Sequence, residues 1–430
     1  MSGKERRRRV VITGYGMITP LGRNAEETFE RAKRGESGID YIKSFDTTDL
    51  PCQVGGEVKD EWLADGDGLL GRRFSKYSSR AMRLMATASL EATDRARLDQ
   101  ISKRARVGVS LGCHGDNPEM KDILFLRRFF RDGKWDIEGL MNSGGYSYFA
   151  FFRRKPDAQT TILSMLHDCR GPNISIVSAC AAGAQAIGEA TRLIREGRAD
   201  VMLAGGCEAT LNFMGFIGFV LLRALVEKYD SPQKASRPFD RKRNGFVMSE
   251  GAGLLVLEEL EHALRRGAEI HGEVLGYGDS ADAYRITDTH PKGEGAIIAM
   301  RAALRDAGLD TESIDYINAH GTSTIQNDLT ETRAIKAVFG DRAREIPVSS
   351  NKSMLGHTIA AAGAIEACLS IMGIKNSIIL PTINYENRDP KCDLDYVPNE
   401  ARNLSHNFVL SNSFGFGGQN ASLCLGRFED

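Results

Sequence analysis

Asn173-Ile-Ser-Ile-Val-Ser-Ala-Cys-Ala-Ala-Gly-Ala-Gln-Ala-Ile187 decides the fold class. Residues 174–177 read as a short apolar strand that breaks at Ser178-Ala179 and turns straight into a helix. The spacing predicts that helix from residue 181 to about 196. Ala186, Ile187, Ala190, Leu193 and Ile194 share one stripe, and Gly197 is the stop. Cys180 therefore sits at a helix N-terminus, where unpaired N–H groups and the positive dipole end favour a thiolate. That setting predicts a thiol pKa drawn down from about 8.5 into the range of about 3.5–7.5. Ala179, Ala181, Ala182 and Gly183 leave room for a bulky group at the sulfur. The competing reading is a buried structural cysteine, because free Cys is among the most buried residue types.

Outward from this stretch the same alternation recurs. Residues 9–13, 107–111, 200–206, 253–258, 314–319, 346–349 and 408–411 read as strands. Residues 24–33, 80–93, 260–266, 296–307, 329–339 and 358–374 read as helices. Gly14-Tyr-Gly16 reads as a turn after the first strand, a weak dinucleotide signal because G-x-G-x-x-G is not completed. The second half echoes the first, which divides the chain into 1–267 and 268–430. The expected class is α/β with a parallel-rich core and helices on the sheet faces. The reactive-looking residues follow strand C-terminal ends, where such sheets place their sites.

Composition excludes several classes. At 430 residues, 42% apolar, 26% charged and net charge −1, nothing global points to nucleic acid or a membrane surface. No apolar run reaches the ~18 residues of a membrane span. Arg6-Arg-Arg-Arg9 resembles the start of a secretory signal, but the apolar residues after it end at Gly14, so it reads as a solvated arm. Eight widely spread cysteines with no C-x-x-C pair argue against a zinc ribbon or disulfide scaffold and suit a reducing cytoplasm. Residues 113–168 are long, aromatic and basic, in the manner of a binding loop or lid.

Four segments stand out: Cys180, His320-Gly-Thr-Ser-Thr324, Lys352-Ser-Met-Leu-Gly-His357 and Asn412-Ser-Phe-Gly-Phe-Gly-Gly418. Singly, each has an ordinary structural reading. Together with Val10-Val-Ile-Thr-Gly-Tyr-Gly-Met-Ile-Thr-Pro-Leu-Gly22, Arg237-Pro-Phe-Asp240 and Gly245-Phe-Val-Met-Ser-Glu-Gly-Ala-Gly253, they resemble the elongating β-ketoacyl-acyl-carrier-protein synthases almost end to end. The resemblance implies a thiolase-like duplicated α-β-α-β-α layered fold with two mixed sheets, each half containing parallel strands. It implies Cys180 as nucleophile, His320 and His357 as the paired histidines, and Lys352 as the buried lysine. It also implies Glu331 as the glutamate engaging that lysine, and Phe416 as both oxyanion-hole N–H and gating ring. Thr322 and Thr324 match positions that contact the phosphopantetheine arm of the carrier.

The implied reaction transfers an acyl group to Cys180 and condenses it, with loss of carbon dioxide, with a malonyl carrier thioester. It needs no metal or redox cofactor. The implied partners are an acyl carrier protein and a second ketosynthase chain, identical or related, with no nucleic acid and no membrane span. Fatty-acid and specialised polyketide-type synthesis both fit. A degradative thiolase would add a second cysteine near residues 414–418, where none stands. A non-catalytic chain-length subunit would lack the nucleophile, and a cysteine hydrolase would leave Lys352 and His357 surplus. Two departures from the family pattern remain: Arg243-Asn-Gly245 in place of Arg-Asp-Gly, and residues 113–168, where Cys113 and His114 are expected near the acyl pocket. Arg72, Arg73, Lys76 and Arg223 are the candidate carrier-docking charges.

Overall fold

The computed structural model describes residues 7–115, 120–145 and 148–429. Arg6, named above in the basic arm, lies outside them, as do residues 116–119 and 146–147 of the aromatic segment. Five strands come from the first half of the chain: β1 (Val10–Ile18), β2 (Val107–Gly112), β3 (Asn173–Ile176), β4 (Val201–Glu208) and β5 (Gly251–Glu259). Five come from the second: β6 (Gly272–Ala281), β7 (Tyr316–Asn318), β8 (Val348–Ser349), β9 (Phe408–Phe414) and β10 (Gln419–Gly426).

The two sets repeat one topology. In the first, β1–β5 and β5–β4 pair antiparallel, then β4–β2 and β2–β3 pair parallel. In the second, β6–β10 and β10–β9 are antiparallel and β9–β7 and β7–β8 parallel. The halves join at a narrow antiparallel contact, Val11 with Glu273 and Ile12 with Gly272. This is a duplicated mixed sheet.

Five layers result. Helix α1 (Arg80–Arg95) covers the outside of the first half. Helices α2 (Ala182–Arg195) and α5 (Ala362–Asn376) lie against each other between the halves, where the largest apolar cluster forms around Ile187, Leu255, Ile365 and Leu423. Helices α3 (Glu294–Ala307) and α4 (Ile325–Phe339) cover the outside of the second half. Among the described residues one helical stretch, Ile359–Asn376, is long and apolar enough to cross a membrane, and 89% of it is buried in this middle layer.

Two readings change. Gly14-Tyr-Gly16 is not a turn: β1 runs straight through it to Ile18. Added Cβ atoms at Gly14 and Gly16 would lie 2.2 Å from Ala92 O and 2.3 Å from Ala88 O, so these glycines let α1 lie directly on the strand. The duplicate, β6, was missed for the same reason. Cβ atoms added at Gly276 and Gly278 would lie 2.3 and 2.2 Å from Ala303 O and Ala299 O of α3, and these glycines dilute the apolar pattern of a ten-residue strand. Residues 113–168 contain helices Met120–Arg127, Ile137–Asn142, Tyr148–Arg154 and Ala158–Leu166 and a hairpin of Phe130–Arg131 with Lys134–Trp135. Ile162 and Leu163 anchor the last helix in the core, while Tyr148, Phe151 and Phe152 stay exposed.

Candidate active site

The site lies where the duplicated helices α2 and α5 begin. Ala179-Cys-Ala-Ala-Gly-Ala184 and Ile359-Ala-Ala-Ala-Gly-Ala364 are the same turn used twice. Each enters its helix through one 3₁₀ turn, Ala179–Ala181 and Ile359–Ala361, and each opens on a left-handed residue, Ala179 at φ +49° and Ile359 at φ +42°. Left-handed backbone at a residue other than glycine is strained and persists only where its surroundings fix it. Gly183 allows the close approach of the two turns, since a Cβ there would lie 2.7 Å from Ala360 O. Cys180 thus occupies one copy of the turn and Ala360 the other, with His357 two residues before Ile359.

Cys180 Sγ lies 3.0 Å from His357 Nε2. The Ile359 backbone N–H donates to His357 Nδ1 at 3.3 Å, so Nδ1 is an acceptor and the ring proton sits on Nε2, directed at the sulfur. Burial holds His357 and His320 well below the usual imidazole pKa, reinforced by the charge of Lys352, so both rings are neutral N–H donors. The two rings meet edge to face at 5.3 Å. One ligand atom from each of Cys180, His320 and His357 falls within 4.8 Å of the others. His320 Nδ1 is buried with no partner among the described residues.

The lowered thiol pKa expected at the helix N-terminus does not hold. Burial pushes the Cys180 thiol up to about 12, against the opposing field of Lys352 and the backbone N–H of Phe416, which faces the sulfur. At 4% exposure the loss of solvation outweighs the dipole, and Cys180 rests as a thiol.

The lysine pairing also differs. Lys352 Nζ donates to Glu366 on α5, with both side chains 2% exposed. Glu331 on α4 accepts instead from the backbone N–H groups of His320 and Gly321, each at 2.8 Å, and so fixes the His320 loop. Burial lifts the Glu331 carboxyl to about 7. Glu366 escaped the sequence reading, although a lone acid in the alanine-rich run 360–371 was its signal. Asn244, the departure from Arg-Asp-Gly, accepts from the backbone N–H groups of Glu227 and Lys228 at 3.0 and 3.1 Å, a turn-holding role. Buried Arg243 keeps its charge network through Asp389 at 2.7 Å and Asp328 at 3.6 Å.

A cavity of about 470 Å³ opens onto the sulfur. Cys180, His320, His357, Thr322, Thr324 and Phe416 line it, with exposed Arg223 at its rim. Thr322 Oγ1 and Thr324 Oγ1 lie 3.0 Å apart, and Thr324 caps α4. The Phe416 ring continues through Phe219 and Phe246 to His357, at centroid spacings of 6.2, 5.5 and 5.4 Å. Arg72, Arg73 and Lys76 are also exposed, but outside this cavity. Cys113 Sγ donates to Pro156 O at 2.8 Å, and His114 Nδ1 lies 3.1 Å from Glu208 Oε2.

Family models match most of the chain: the β-ketoacyl synthase N-terminal domain over residues 7–263 and its C-terminal domain over 271–386. The chain belongs to the β-ketoacyl synthase family. It is 42% identical to a 3-oxoacyl-[acyl-carrier-protein] synthase 2 of Synechocystis sp. over 98% of this chain and 99% of the relative. It is likewise 42% identical to the synthase 2 of Coxiella burnetii, over 99% and 100%. Among solved structures, the ketosynthase of a type II polyketide complex with its acyl-carrier protein aligns with a TM-score of 0.87 at 31% identity, over 99% of this chain and 100% of that one. The ishigamide ketosynthase/chain length factor aligns at 0.85 and 36%, again over 99% and 100%. The ketosynthase described here is therefore a condensing acyltransferase of the thiolase-like fold.

Proposed function

We propose that this ketosynthase carries its acyl chain on Cys180 and extends it with a malonyl thioester, both delivered on acyl carrier protein. The observation that carries this reading is the Cys180 sulfur 3.0 Å from His357 Nε2, in a cavity that His320 and Phe416 also line. In the first half-reaction the sulfur attacks the carrier thioester, an S–C bond forms, and the carrier thiol leaves with the cysteine proton. The N–H groups of Cys180 and Phe416 face the oxyanion. In the second, malonyl carrier loses carbon dioxide, and His320 and His357, neutral donors, hold the enolate oxygen. The enolate carbon attacks the acyl carbonyl, the C–S bond breaks, and the Cys180 sulfur takes up a proton. No step changes an oxidation state in a way that requires a redox group.

Burial, reinforced by the charge of Lys352, keeps both imidazoles neutral, and Thr322 and Thr324 line the route of the phosphopantetheine arm. Arg223, at the cavity rim, and Arg72, Arg73 and Lys76 supply basic charge for an acidic carrier. Exposed aromatics of residues 148–152 fit a second ketosynthase chain. All eight cysteines are free and buried, which supports a reducing cytoplasm. A thiolase reading finds no second cysteine at the site: Cys424 is fully buried in β10. Residues 113–168 are read as shaping the acyl pocket for a chain other than a plain saturated one. The test supplies acyl carrier and malonyl carrier together. A 3-oxoacyl carrier product supports the reading, and hydrolysis or thiolysis alone contradicts it. In a competition series, preference for plain saturated chains removes the specialised substrate.

A further inference from the structure

Glu208, at the C-terminal end of β4, is a buried carboxylate to which the reaction scheme assigns no part. Its Oε1 accepts from the backbone N–H groups of Ala209 and Thr210, each at 3.0 Å, and from the Thr210 hydroxyl. Its Oε2 accepts from the Ala360 N–H at 3.4 Å and faces His114 Nδ1 at 3.1 Å. His114 is its ion-pair partner among the described residues. Ala360 directly follows Ile359, the β-branched residue at φ +42° whose N–H fixes the His357 tautomer.

A left-handed β-branched residue relaxes unless neighbouring contacts hold it. The His357 backbone is held from the other side, its N–H donating to Val247 O at 2.7 Å and its carbonyl accepting from Ser249 N at 3.0 Å. The following residues are held by Glu208 and by Gly206, whose missing Cβ would lie 2.5 Å from Ala360 O. We infer that His114 is a positioning residue: by orienting Glu208 it clamps the strained Ile359-Ala360 turn and keeps the His357 Nε2–H aimed at the Cys180 sulfur. The contact begins at His114, two residues beyond the end of β2, and ends at the reacting groups. It rests on the reading that His357 acts as a donor.

The test compares His114→Leu with His114→Gln, whose amide can still donate to Glu208. Two readouts are used: the ¹⁵N resonances of the His357 ring in the unliganded protein, and malonyl-carrier decarboxylation. The leucine variant is expected to lose the single Nε2–H tautomer. Its decarboxylation kcat should fall by about ten- to a hundredfold, with KM for malonyl carrier unchanged, since small displacements of a catalytic group have that effect. The glutamine variant should restore both. An unchanged His357 spectrum and kcat in the leucine variant overturn the inference, as does a glutamine variant that stays folded and fails to restore them. The tautomer is read without substrate, so an Nε2–H signal that moves in a protein with no condensing activity sinks the functional reading and leaves this one standing.

Discussion

Lys352 and Glu366 offer the sharpest energetic test, because both side chains are 2% exposed and each neutralises the other. Lys352→Met leaves the Glu366 carboxyl in the middle layer, and Glu366→Gln leaves the ammonium there. Stranding one member of a buried pair costs about 3–5 kcal/mol. Each single variant should therefore lower the free energy of urea unfolding by that amount. The double variant replaces the pair with neutral groups, so its loss should fall short of the sum by about 0.5–3 kcal/mol, the range for contacting residues. The same change moves the chemistry. The Lys352 charge depresses both imidazole pKa values, so the methionine variant raises them and protonates the donors at a higher pH. The acid limb of malonyl decarboxylation should then move upward in pH. Single losses below about 1 kcal/mol, or strictly additive losses, would refute the pairing argument. An acid limb that stays put would refute the field argument.

Other expectations follow from the same geometry. Because burial pushes the Cys180 thiol up to about 12, its alkylation by iodoacetamide should rise steadily with pH through pH 9; a plateau between pH 6 and 8 would show a stabilised thiolate instead. Alanine at His320 or at His357 should still allow acylation of Cys180 while slowing decarboxylation by about 10²–10³ per lost donor, measured as carbon dioxide release. Loss of acylation with decarboxylation intact would reverse the roles. Gly183→Ala forces a Cβ against Ala360 O, so it should cost about 1–3 kcal/mol in urea unfolding and slow acylation by parting the two turns.

The sequence was most legible where burial and function ask for the same residue types. Apolar strands and amphipathic helices placed Cys180, His320 and His357 after strand ends, and the structure brings the three together. Legibility failed where packing demands glycine, as in β1 and β6, because a strand pressed against a helix backbone loses the side chains that announce it. The thiol was misjudged because a helix N-terminus is visible in a sequence and desolvation is not. Glu331 and Glu366 both suited the lysine by type, and three-dimensional placement alone assigned Glu366 to it and Glu331 to the His320 loop. The repeated turn at 179 and 359 was present in plain letters. Its geometry, one copy carrying Cys180 and the other following His357, required the backbone angles.

The most direct test of the central claim is peptide-resolved mass spectrometry of the protein after brief exposure to an acyl carrier thioester without malonyl carrier. The geometry predicts one acyl group per chain on the peptide containing Cys180, discharged when malonyl carrier is added. An acyl group on any other residue, or turnover to 3-oxoacyl product by Cys180→Ser at the wild-type rate, would contradict it.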